Sequence, residues 1–129
     1  MKKSLFLCIL FTALFSGFLV NAQTGSKAKI QAYYFHNQVR CETCKTVESE
    51  AKLDLKELYG DKVSFQALNL EDKATQEIAK KLKVSGQTLL VVNGSKQVNL
   101  TNEGFLYAVT NPVKFKSIIK EKVDPLVKQ

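Results

Sequence analysis

The chain alternates between short stretches crowded with apolar and β-branched residues and longer ones whose apolar residues return every third or fourth position. The first short stretch, 29–35, holds Ile30, Tyr33, Tyr34 and Phe35 in a nearly continuous run, which predicts a strand buried on both faces. A polar crossing, 36–40, follows. Over 42–59, Cys44, Val47, Ala51, Leu55 and Leu58 fall on one helical face, with charge mostly opposite and Glu48/Lys52 as a favourable pair one turn apart. Gly60 marks the stop. Residues 63–70 alternate well enough for a second strand. Glu71 and Asp72 open a second helix running through Ile78, Ala79 and Leu82, and 84–86 closes it. A third strand is predicted over 87–92. Asn93-Gly94 signals a hairpin into a fourth strand over 97–100. The connector 101–111 carries one helical turn over 105–108. Asn111 caps a final helix with Pro112 at its first position. Phe115, Ile118, Ile119 and Val123 form its buried stripe, and Asp124-Pro125 weakens its end.

The predicted order is therefore β-α-β-α-β-β-α. Strands flanking a helix run parallel and the last two form a hairpin, so the fold class is α/β with a four-stranded mixed sheet covered by helices. This is the small thioredoxin-like architecture. No internal repeat, low-complexity tract or second domain interrupts it.

The first residues bear on where the domain starts. Met1-Lys2-Lys3 is basic, and 5–20 is apolar apart from Thr12, Ser16 and Gly17. Val20-Asn21-Ala22 offers the small residues that a signal peptidase reads. A secretory signal peptide over 1–22 is expected, with cleavage after Ala22 and a thioredoxin-like domain over 23–129. The apolar run is shorter than the ~20 residues of a membrane span, so no stable membrane insertion is expected after its removal. Cys8 lies inside this leader. Cleavage removes Lys2 and Lys3, which lowers the net charge from +7 to +5. The lysines interleave with acids, and no basic block carries aromatic platforms, so nucleic-acid binding is not expected. The predicted location is periplasmic or secreted.

Cys41 and Cys44 are the thiols left in the exported chain, in a compartment that favours disulfides. Their CxxC spacing at a strand-to-helix junction is the thioredoxin-like redox arrangement. Unpaired N–H groups and the positive end of the dipole at a helix start favour a thiolate, and so lower the pKa of a cysteine placed there. Arg40 and Lys45 are candidates for adding to that field, while Glu42 opposes it. Cys44 lies on the apolar stripe and Cys41 at the mouth, so Cys41 is assigned the attacking role and Cys44 the resolving one. Cys44-Lys45 rules out the CxxCH haem-attachment motif. Two other readings stay open. The dithiol, with His36 as a third donor, suits a soft metal or trivalent arsenic. Alternatively, the pair is a permanent disulfide in an accessory protein. No cofactor beyond the redox-active disulfide is called for. The expected partner is a thiol or disulfide protein, with a membrane electron-transfer protein as one candidate.

Four segments carry a family resemblance: 34–45 with its Tyr-Phe-His and Cys-Glu-Thr-Cys-Lys, 85–92, 100–105 and 111–116. Together they resemble small exported thioredoxin-like proteins of the nitrophenyl compound nitroreductase subunit ArsF family. The resemblance implies the thioredoxin-like fold, export and a setting near arsenic-resistance genes or cytochrome-biogenesis-like membrane genes. Against ordinary thioredoxins there are departures. Glu42-Thr43 stands where Gly-Pro is usual, and no Trp precedes Cys41. Gln87 occupies the position of the proline that helps to dock substrate, which makes Gln87 and Thr88 the implied substrate-binding edge. A cis peptide before a residue other than proline costs about 3 kcal/mol, so a trans bond is expected there.

Overall fold

The computed structural model describes residues 30–129; the expected signal peptide and Cys8 lie outside the described residues. Strands β1 (Ile30–His36), β2 (Val63–Asn69), β3 (Thr88–Asn93) and β4 (Lys96–Asn99) form one sheet in the order β2-β1-β3-β4. β1 runs parallel to β2 and antiparallel to β3, and β3 pairs antiparallel with β4. Helices α1 (Glu42–Tyr59), α2 (Lys73–Leu82), α3 (Thr101–Tyr107) and α4 (Pro112–Val127) complete the fold, with one 3-10 turn over Gly60–Lys62. The mixed four-stranded α/β sheet is the one expected from the hydrophobic pattern. No helix among the described residues is long and apolar enough to cross a membrane.

The register explains the core. Ala32 and Tyr34 of β1 stand beside Val91 and Leu89 of β3, so all four side chains project to one face of the sheet. There they meet Val47, Ala51 and Leu55 of α1 and Phe115, Ile119 and Val123 of α4. Phe35, Leu90 and Val92 belong to the opposite face and are buried as well. β1 thus sits inside the sheet, fully buried on the face of Ala32 and Tyr34, while the other face is buried at Phe35 and half-buried at Gln31 and Tyr33.

Two local features differ from the expected ones. Where a connector with one turn was expected, α3 is a seven-residue helix packed on α1 and α4. The β3–β4 hairpin turns on Gly94-Ser95 instead of Asn93-Gly94, because Asn93 pairs with Lys96 inside the ladder. Gly94 takes the positive φ of 60° that the first loop position requires, and the buried Asn93 amide donates to the Leu126 carbonyl at 2.8 Å. Helix α2 runs to Leu82 as expected and stops there with Lys83 in the left-handed conformation. α4 begins as expected, with the Asn111 side chain accepting from the Lys114 N–H at 3.0 Å, and it continues through Pro125 to Val127.

Candidate functional site

The end of β1 and the start of α1 set the site. After His36 the chain leaves the sheet, and the Gln38 N–H is held by the Glu71 carboxylate at 3.3 Å. Val39 stands 90% exposed, two residues before Cys41. Cys41 is the N-cap of α1. Its sulfur accepts from the Cys44 N–H at 3.2 Å, satisfying one of the unpaired donors of the first turn. Cys44 is in that first turn, only 7% exposed, on the stripe it shares with Val47 and Ala51. The two cysteines are joined as a disulfide. One sulfur-bearing residue therefore faces solvent at the positive end of an 18-residue helix, and its partner lies underneath.

The charged residues around the pair are themselves paired. Arg40 forms an ion pair with Glu48, one turn into α1 beyond Cys44. Lys45 reaches back to Glu42 at 2.8 Å, and this hydrogen bond and the lysine charge hold the Glu42 carboxyl below its usual range. Both expected cations thus lie beside the dithiol, each partnered by an acid from the same helix.

A polar cluster beneath Cys44 was not expected from the sequence. Tyr34, fully buried in β1, donates its hydroxyl proton to the Cys44 carbonyl at 2.9 Å. The Gln87 amide donates to the Tyr34 oxygen at 2.6 Å, and its own oxygen lies 3.8 Å from the Cys44 sulfur. Burial pushes the Tyr34 hydroxyl above the ordinary phenol range, against the opposing pull of the Gln87 hydrogen bond. Tyr34 therefore keeps its proton and remains a donor. Gln87 follows a trans peptide bond and faces the buried cysteine. Thr88 begins β3, and its hydroxyl donates to the Gly86 carbonyl at 2.9 Å. The sequence signal for the cluster was Tyr34, one of two adjacent tyrosines in a largely apolar strand.

His36 ends β1. Its Nδ1 lies 2.9 Å from the Asn37 carbonyl, a contact in which that nitrogen donates. Among the described residues no group of three or more His, Cys, Asp and Glu side chains assembles as a metal site, so His36 is not brought to the two cysteines. Beside the site, Asn37, Gln76, Lys80, Ser85 and Gly86 line part of a groove of about 470 Å³.

No family model and no curated protein matches the chain. Among solved structures, one described as that of a malarial protein aligns with it at a TM-score of 0.48 and 18% identity, over 73% of this chain and 97% of the other.

Proposed function

We propose that the protein is an exported thiol–disulfide oxidoreductase or electron-relay protein that works through Cys41 and Cys44. One observation carries this reading: the disulfide joins an exposed cysteine at a helix N-cap to a buried one in the first turn. In the reduced protein, a Cys41 thiolate at that position accepts from the Cys44 N–H and feels the positive end of α1, both of which favour the reactive anion. It attacks a partner disulfide, one partner sulfur leaves as a thiolate, and a mixed disulfide forms. Cys44 then gives up its proton and attacks the Cys41 sulfur, releasing the second partner thiol and restoring the Cys41–Cys44 bond. The reverse sequence reduces this pair. The leader expected over 1–22 and the resemblance at 34–45 support an exported partner outside the inner membrane.

The test is reduction of glutathione disulfide by the reduced protein. Cys41→Ser should abolish it, and Cys44→Ser should accumulate a mixed adduct that thiols release. Full activity in both variants would overturn the reading. The reduction potential is expected between about −120 and −270 mV, among working oxidoreductases; a value below about −300 mV belongs to structural disulfides and would count against turnover.

A further inference from the structure

We propose that Gln87 is a positioning residue that keeps the proton of the reduced pair on Cys44, so that Cys41 is the thiolate. This rests on the exchange reading above and specifies which sulfur holds the proton. The orientation of the Gln87 amide follows from its neighbours. The Tyr34 hydroxyl has one proton, and it goes to the Cys44 carbonyl, which can only accept. The Tyr34 oxygen can therefore only accept from Gln87, so Gln87 must present its NH₂ to the tyrosine. Its carbonyl oxygen is then turned to the Cys44 sulfur, 3.8 Å away. In the disulfide, that sulfur has no proton to give. The arrangement is set for the reduced state.

Reduction runs as follows. A partner thiolate attacks the Cys41 sulfur, the Cys41–Cys44 bond breaks, and its electron pair stays on Cys44. Cys44 takes a proton from solvent or from the partner's second thiol, and its S–H donates to the Gln87 oxygen. The partner's second thiolate then attacks the partner sulfur of the mixed disulfide, and Cys41 leaves as the thiolate that accepts from the Cys44 N–H. Gln87 takes no proton itself. It favours the protonated Cys44 because the negative end of its amide dipole would face a thiolate there. The other titratable or charged groups around Cys44 are Tyr34 from β1, Arg40 from the loop before α1, and Cys41, Glu42, Lys45 and Glu48 beside it, with Lys45 paired to Glu42. Arg40 and Glu48 neutralise each other and are untouched by changes at Gln87.

The experiment uses the reduced full-length chain. Alkylation by iodoacetamide is followed against pH, and the two cysteines are distinguished by fragmenting the peptide from Cys41 to Lys45. Gln87→Leu should increase the Cys44 thiolate fraction at a given pH about two- to tenfold, and Gln87→Glu should decrease it, while Cys41 moves less in either. Tyr34→Phe, which frees the amide to turn, should act like Gln87→Leu but more weakly. The equilibrium with glutathione should shift by similar factors, toward the disulfide in Gln87→Leu and toward the dithiol in Gln87→Glu. A merely structural role would not give opposite signs in the two variants. If the wild type exchanges with glutathione disulfide but neither Gln87 variant moves Cys44, this inference fails and the exchange reading stands. If the wild type does not exchange at all, the exchange reading fails whatever the titration shows.

Discussion

Asp54 is the residue whose setting least resembles what its type suggests. It lies on α1 between Ala51 and Leu55, is 4% exposed, and one of its carboxylate oxygens has no hydrogen-bond partner. Lys116 of α4 stands 3.8 Å from the other, but that lysine is drawn to Glu57 as well. Burial pushes the Asp54 carboxyl up to about 6, outweighing the attraction of Lys116. The folded carboxyl thus holds its proton more tightly than the unfolded one. As pH rises from about 4 to 6, the unfolded chain ionises first and stability falls; above that window the loss is complete. The full displacement corresponds to about 3 kcal/mol, and screening at the lysine edge reduces the expected loss to about 1–2 kcal/mol. Asp54→Asn should therefore be more stable than wild type by that amount in urea denaturation at pH 7.5, with the advantage shrinking towards pH 4. An equal difference at both pH values would show that ionisation is not the cause. The sequence pattern did not reveal this burial. The α1 stripe was legible from Val47, Ala51 and Leu55, but a carboxylate three residues after Ala51 reads as part of the charged side. The Tyr34–Gln87 contact was equally hidden, since residues 53 apart in the chain meet only through the pairing of β1 with β3.

The strands and long helices were legible because each repeats one period over many residues. α3 was not, and Gly104 is the reason. Glycine in a helix interior costs about 1 kcal/mol relative to alanine, so the stretch reads as a connector. Packing overrides that preference. A Cβ on Gly104 would lie 2.8 Å from Cγ1 of Val47 and 3.4 Å from Cζ of Phe115, both fully buried. The absent side chain is what lets α3 lie against α1 and α4. Val47 is β-branched and has little room to rotate away. Gly104→Ala should therefore destabilise the protein by about 1–2 kcal/mol, despite its better helix propensity. Adding Val47→Ala should recover part of that loss, so that the double variant is more stable than the sum of the two single effects implies. Strict additivity in denaturant melts would mean that the contact at Val47 is not what excludes a side chain at 104. The hairpin offset has a similar origin. Asn-Gly predicts a turn from local preference, but the Asn93 amide is held by the Leu126 carbonyl from α4, which fixes Asn93 inside the strand.

Fold stability and redox poise are linked through one thermodynamic cycle. Closing a disulfide across three residues constrains the unfolded chain little: chain-entropy arguments give about 2 kcal/mol for so small a loop. This is the advantage in unfolding free energy that the oxidised protein would have over the reduced one if the fold treated both alike. It does not, because a reduced Cys41 thiolate accepts more strongly from the Cys44 N–H that the disulfide sulfur already meets and is favoured by the positive end of α1, and reduced Cys44 gains an acceptor in Gln87. Each of these stabilises the reduced fold and narrows the difference. Denaturant melts of the oxidised and dithiothreitol-reduced chain should accordingly differ by about 2 kcal/mol or less, with the reduced form still cooperatively folded. The hydrophobic core around β1 does not depend on the two sulfurs, so nothing else in the fold should give way when they separate. Because about 1.4 kcal/mol corresponds to 30 mV for a two-electron couple, a difference this small keeps the native pair within tens of millivolts of an unconstrained one. A difference of about 4 kcal/mol or more would mean that the fold strongly prefers the bond closed, and the pair would then serve as a brace instead of an exchanging site.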